Sequence, residues 1–316
     1  METIHERLYA RLAERGWRGR AVPVRHVADL QRQIESHHGQ GNATEGAQAL
    51  FDETFYQERL TSFDFGPPEA LPGAESVVVV AVPRPQARTT FTWQGRTLAL
   101  ILPPTYAGYE QVRHEVGDLL AEWLAPEGGR VARAALPLKA LAVCSGLGEY
   151  GRNNICYVPC MGSFCQLVAF YAGAPGEEAA WGEPQMMARC ETCEACRVHC
   201  PTGAIPAERF LLHAERCLVF HNERAAEHSF PAWIDPAAHH CVMGCMRCQQ
   251  FCPEDRPFLG WVEGDWVFSE EETALLMQGG PAAQLPATTR QKLAELALLD
   301  DVALLPRNLG ALFGGR

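Results

Sequence analysis

All thirteen cysteines of this 316-residue chain fall between Cys144 and Cys252. Seven of them stand in two related runs, Cys190-x2-Cys193-x2-Cys196-x3-Cys200-Pro201 and Cys245-x2-Cys248-x3-Cys252-Pro253. Two-residue gaps let a curled backbone bring three sulfurs to three corners of an iron–sulfur cube. The fourth cysteine of such a run serves the neighbouring cube. The turn also aims backbone N–H groups at the cluster sulfides, which steadies an anion. Each closing proline turns the chain away. Tetrahedral zinc is held by cysteine pairs, not by such a triplet. The odd cysteine count and the absence of a leader-like N-terminus, which carries Glu2, His5, Glu6 and Arg7, argue for reduced thiolates and a cytoplasmic location.

The second run is one ligand short of a full repeat, and two cysteines could supply it, Cys217 and Cys241. Cys241 precedes Cys245 by an x3 gap, which breaks the regular spacing. The resulting allocation gives Cys190, Cys193, Cys196 and Cys252 to one [4Fe–4S] cluster and Cys200, Cys217, Cys245 and Cys248 to the other. Each cube then draws on both halves of the module, so cluster insertion is coupled to folding. Cys144, Cys156, Cys160 and Cys165 follow no standard ligand spacing; buried thiols are the expected reading, with a role near a cofactor or a third metal site as the alternatives.

The remainder reads as an ordinary globular protein, with 47% hydrophobic and 21% charged residues. A net charge of −11 argues against general affinity for nucleic acid or anionic membrane. No apolar run approaches the roughly 18 residues of a membrane span. Spacing predicts helices over residues 2–15, 27–34, 106–124 and 289–299, and a loop over 37–46. Apolar runs at 76–82 and 97–102 predict two buried strands flanking a turn-like segment, adjacent in one sheet. Seven carboxylates between Glu254 and Glu272 read as solvated surface. Leu304, Leu305, Leu309, Leu312 and Phe313 predict a tail that packs back on the body. No GxGxxG or GxxxxGK[ST] motif supports a dinucleotide fold or a P-loop. The expected fold class is α+β: a mixed α/β N-terminal domain (1–175), a bacterial ferredoxin-like module for two [4Fe–4S] clusters (176–256) and a helical tail (257–316).

Between Leu136 and Phe170 the chain is dense in glycine, asparagine and cysteine. Glycines let a ligand approach the backbone closely, so Gly146, Leu147, Gly148, Gly151, Arg152, Asn153, Asn154, Gly162 and Ser163 are candidates for lining a flat cofactor or substrate. A tight buried turn is the alternative. With this loop and the cysteine runs in view, residues from about 136 to 253 resemble epoxyqueuosine reductase and its relatives, the reductive dehalogenases. The likeness is carried by Cys190 to Ile205, by Cys217 after Ala214-Glu215-Arg216, by the run ending at Cys252, by Gly146 to Asn153 and by Gly162-Ser163-Phe164. The resemblance supports Cys217 over Cys241. It implies an N-terminal domain that binds a corrinoid (cobalamin), fed with electrons by the clusters, and in the reductase a modified tRNA base as substrate.

The chain departs from that pattern at two places. Ala134 to Lys139 lacks the acidic proton donor of the reductase, and Tyr106-Ala107-Gly108-Tyr109-Glu110 replaces an Asp-Tyr-His group. A paralogue with a small-molecule substrate rather than tRNA is therefore expected, with Lys139, Tyr106, Tyr109, Glu110, Glu149 and Tyr150 as candidate acids and bases. Lys139 and Arg152 could instead neutralise corrinoid side chains, substrate anions or buried carboxylates. Asn222-Glu223 could support a cluster or bound cofactor, or serve local structure. The expected partners are an electron donor such as ferredoxin or flavodoxin and, for a non-catalytic electron-transfer or activator protein, an acceptor enzyme. A purely structural use of the clusters is the third reading, and no membrane partner is expected.

Overall fold

The computed structural model describes residues 3–36, 62–178, 181–207 and 211–314. The loop expected at 37–46 lies outside them. Among the described residues the strands are β1 (Arg18–Pro23), β2 (Ser76–Pro83), β3 (Gln86–Trp93), β4 (Arg96–Leu102), β5 (Val131–Arg133), β6 (Glu149–Tyr150), β7 (Cys156–Tyr157), β8 (Cys165–Ala172) and β9 (Val262–Phe268). The chain divides into two compact units, Met1–Pro83 with Gln111–Cys193, and Arg84–Glu110 with Glu194–Arg316. Each unit is assembled from two separate stretches of the chain. The mixture of helices and strands matches the expected α+β class.

The first unit is built on an antiparallel sheet of order β1-β2-β8-β5. The valine run of β2 does not alternate because the strand is buried along nearly its whole length between β1 and β8. Val77, Val79 and Ala81 join a core with Leu141, Val143 and Tyr171. Helix Ile4–Glu14 begins at a capping box in which Thr3 and Glu6 satisfy each other's backbone N–H groups. It comes down on β1 at Gly19, where an added Cβ would lie 2.6 Å from Leu12 Cδ1.

The second unit holds a sheet of order β4-β3-β9. The expected adjacency of 76–82 with 97–102 is corrected here: β2 and β4 belong to different sheets. The segment read as turn-like is strand β3, rich in β-prone threonine. It returns into β4 through Gln94 (φ 48°) and Gly95 (φ 73°), the pair of positive φ angles that a two-residue hairpin turn demands. β9 then pairs with β3 in parallel. Phe91 and Phe268 stack at 4.6 Å between ring centroids in the core beneath. The C-terminal helix Leu305–Gly314 buries Leu305, Leu309, Leu312 and Phe313 in that same core, as the apolar tail required. The helices expected at 106–124 and 289–299 run Tyr109–Leu124 and Ala287–Glu295. No helix among the described residues is long and apolar enough to cross a membrane.

Two outcomes test this packing. Phe91→Ala should cost about 3–5 kcal/mol of stability, read as a shift in the urea midpoint of the anaerobic protein. Burial raises the Glu272 carboxyl, but Lys292 Nζ at 2.7 Å, Ser269 and Thr289 together hold it below the ordinary 4.5. Its contribution is therefore present above that value and lost as pH falls through the lowered one. Glu272→Gln should flatten the acid limb of an unfolding-versus-pH curve.

Candidate iron–sulfur centre

In the second unit, two short helices occupy equivalent places in the two cysteine runs. Ala195–Val198 lies between Glu194 and Cys200, and Arg247–Gln250 between Met246 and Cys252. They meet through His199 and Phe251, whose rings stack at 3.6 Å between centroids. The repeated spacing thus folds into paired half-modules.

Three of the expected ligands of one cube come together here. The Cys245 thiol is pushed up to about 12, first by burial and further by the nearby Cys217 and Cys200 sulfurs. Burial likewise raises Cys217, with Cys200 close by. Backbone N–H groups point at these sulfurs. Ala204 donates to Cys200 Sγ at 3.3 Å, Val219 and Phe220 donate to Cys217, and Arg247 donates to Cys245. Cys217 gains its donors from its place just before helix Leu218–Asn222. Half-buried thiols that attract N–H donors are suited to thiolate, and iron would replace their protons. Cys241 is buried, and burial followed by Cys245 raises its thiol, but Cys200 is not among its electrostatic neighbours. Cys200, Cys217 and Cys245 are thus neighbouring sulfurs, and Cys241 neighbours Cys245 alone of these. Of the other expected ligands, Cys196, Cys248 and Cys252 lie in this unit, and Cys190 and Cys193 in the first.

Asn222 serves the loop before Cys245. Its Nδ2 donates to Gly244 O at 2.7 Å and its Oδ1 accepts from Gly244 N at 3.2 Å. Gly244 holds φ 73°, and a Cβ there would press on Pro103 and Tyr106 at 2.8 Å. Asn308, from the C-terminal helix, donates to Asn222 O and Val242 O, both at 2.9 Å. Sequence reasoning missed Asn308. Its signal was an asparagine on the apolar face of that helix. Tyr106, partly buried, donates to the Glu223 carboxylate, and desolvation first, then the Glu223 charge, raises its phenol. Tyr109 and Glu110 stand at the start of helix Tyr109–Leu124, also in this unit.

In the first unit the glycine loop is mostly self-filled. Helix Leu138–Cys144 ends in a Schellman turn: Leu147 N donates to Ala142 O, Gly146 N to Val143 O, and Gly146 takes φ 68°. β6 and β7 then form a hairpin. A Cβ on Gly148 would sit 2.5 Å from Tyr157 O, and one on Gly151 2.5 Å from Asn153 Oδ1. Asn153 Nδ2 donates to the Tyr157 hydroxyl at 3.0 Å, and Asn154 holds φ 55°. Gly162 bridges to Val158, and Ser163 is buried. These glycines answer to the chain itself, the alternative weighed from sequence.

Gly146 and Leu147 do line a cleft of about 510 Å³, with Tyr9, Trp17, Arg18 and Cys160 among its walls. That is the size of a pocket for a drug-sized ligand, smaller than a whole corrinoid. Gly148 and Gly151 leave no cradle for a flat ring, so these residues do not by themselves fit that cofactor. Lys139 Nζ donates to Asn154 O at 3.3 Å and lies near Cys156. Tyr150 is raised first by burial, then by Cys144 and Cys156. Glu149 is exposed. Thus Lys139 and Tyr150 gather around Cys156, whereas Tyr106, Tyr109 and Glu110 belong to the other unit. Cys144, Cys156 and Cys165 are buried as expected, and Cys160 is exposed, within 3.4 Å of Arg18 Nη2.

Residues 189–255 match the family model of a 4Fe-4S double cluster binding domain. Fold and cysteine module together define an iron–sulfur protein of mixed α/β architecture with a double 4Fe–4S domain. Its sequence relatives are epoxyqueuosine reductases. One from Synechococcus sp. (strain CC9605) is 34% identical over 146 residues, 46% of this chain and 44% of that protein. One from Staphylococcus aureus is 23% identical over 72% of this chain and 58% of that protein. The chain thus spans about half the length of the curated relatives it matches. A solved epoxyqueuosine reductase superposes with a TM-score of 0.70 at 18% identity, over 99% of this chain and 82% of that one. Another, crystallised with an epoxyqueuosine-modified tRNA stem loop, gives 0.56 at 19% identity, over 92% and 82%. The chain has the epoxyqueuosine reductase fold.

Cys217→Ser should cost the anaerobic protein one cube, about half its iron, whereas Cys241→Ser should keep both. Iron and sulfide assays on each variant check this.

Proposed function

We propose that this chain is an iron–sulfur oxidoreductase that moves single electrons through two [4Fe–4S] clusters held by Cys190, Cys193, Cys196 and Cys252, and by Cys200, Cys217, Cys245 and Cys248. The observation that carries this is the gathering of Cys200, Cys217 and Cys245, each with backbone N–H donors, inside the matched double-cluster segment. The bound clusters supply one-electron transfer. The chain's part is to hold the thiolates, to point N–H dipoles at the sulfurs and to fix the Cys245 loop through Asn222 and Asn308. Such hydrogen bonds raise a cluster's reduction potential. An electron donor such as ferredoxin or flavodoxin is required.

The sequence resemblance implies a corrinoid as the electron acceptor, and the departures from it a small molecule as the final substrate, but the glycine loop does not by itself fit that cofactor. Support for the corrinoid comes from the sequence resemblance alone, since the glycine loop is occupied by its own chain. Lys139, Glu149 and Tyr150 are the candidate acids and bases near that loop, and Tyr106, Tyr109 and Glu110 those of the other unit. A modified tRNA base is the rival substrate, favoured by the relative crystallised with a tRNA stem loop. Against it stand the net charge of −11 and the missing carboxylate between Ala134 and Lys139. An electron-transfer or activator protein serving a partner enzyme would need the clusters but no second cofactor.

Anaerobic preparation should yield about eight irons and eight sulfides per chain, two [4Fe–4S] clusters of four each, with EPR of the reduced protein showing two interacting cubes. Four irons or fewer, or zinc in their place, would overturn the reading. Cobalamin added to the loaded protein should shift the corrin absorption bands. No binding would favour the activator reading, and conversion of epoxyqueuosine in tRNA, read by mass spectrometry of the nucleosides, would displace the small-molecule one.

A further inference from the structure

Arg152 was a candidate for neutralising an anionic cofactor or substrate, yet its guanidinium is engaged elsewhere. It donates through Nη2 to Cys190 O at 2.5 Å and Glu191 O at 3.4 Å, and through Nε to Cys193 O at 3.2 Å. Those three carbonyls belong to the first Cys-x2-Cys turn, and all four residues lie in one unit. Among the described residues Arg152 forms no ion pair with a carboxylate, although it is partly buried.

The base from which Arg152 reaches is firm. Gly151 N donates to Ile155 O at 2.8 Å and Asn154 N to Gly151 O at 2.9 Å, closing the tip of the β6–β7 hairpin. The approach to Cys190 is stitched to the same hairpin: Tyr150 N donates to Gln185 O at 2.8 Å and Met187 N to Tyr150 O at 2.9 Å. A planar guanidinium can span several carbonyls at once, which an ammonium on a flexible stem does less well. A partly buried cation whose hydrogen bonds among the described residues go to backbone carbonyls favours an anion bound by the turn it holds.

We infer that Arg152 is the positioning residue of the cluster that takes Cys190 and Cys193: it fixes the turn that presents those sulfurs, and its charge favours the reduced, more negative state of that cube. The inference rests on the two-cluster reading above. It also explains why a charged residue sits at the tip of a loop whose glycines are filled by their own chain.

The test compares wild type, Arg152→Gln and Arg152→Lys after anaerobic reconstitution. Each is followed by EPR-monitored redox titration and by the rate of iron release to a ferrous chelator. In Arg152→Gln one midpoint potential should move negative while the other stays, with iron release from that cube roughly tenfold faster, the scale of losing hydrogen bonds to a charged group. Arg152→Lys should restore the midpoint, because the charge remains, but not the slow release, because the fork is gone. If Arg152→Gln fails to hold iron, Arg152→Lys decides alone: a wild-type midpoint with faster release supports the inference, and wild-type behaviour in both overturns it. Unchanged midpoints and release in Arg152→Gln, or a midpoint that lysine does not restore, overturn it as well. A wild-type protein with four irons or fewer instead overturns the two-cluster reading, so the two failures are told apart.

Discussion

Half-buried sulfur met by backbone N–H is the interaction on which the cluster module depends. Loss of water contact first, and the neighbouring sulfurs after it, raise the Cys217 and Cys245 thiols, whose protons a bound metal would replace. The local structure follows from this need. Cys217 sits just before a helix, where the N–H groups of Val219 and Phe220 reach its sulfur. Cys200 curls so that Ala204 N reaches its sulfur. Residues with no sulfur to offer, Asn222, Gly244 and Asn308, are spent on keeping the Cys245 loop in place.

The cysteine chemistry was legible because cubane ligation has a short-range period that a sequence displays directly. The valine run of β2 and the apolar tail were legible for a similar reason, since continuous burial leaves a continuous apolar signature. What escaped depends on partners far along the chain. Strand β3 carries three threonines among bulkier residues, and its hairpin with β4 through Gln94-Gly95 and its pairing with β9 mark it as a strand. Sheet membership of β2 and β4 was misjudged because closeness in sequence was taken for closeness in a sheet.

The glycine loop teaches a separate lesson. Glycine admits a close approach, but sequence does not say whether the visitor is a ligand or the chain itself. At Gly148 and Gly151 the visitor is the hairpin's own Tyr157 and Asn153. At Gly146 the demand is a helix end. Arg152 could be read as an anion binder from its charge, but the carbonyls it reaches lie about forty positions downstream, at Cys190, Glu191 and Cys193.

The parallel pairing of β3 with β9 carries a consequence for biogenesis. β8, the last strand of the first unit's sheet to be made, ends at Ala172, so that sheet has all its strands long before translation finishes. β9 begins at Val262, and β3 must wait for it with an unpaired edge while well over a hundred further residues leave the ribosome. During that interval the nascent hairpin β3–β4 is the segment most open to capture by chaperones or by another chain's edge.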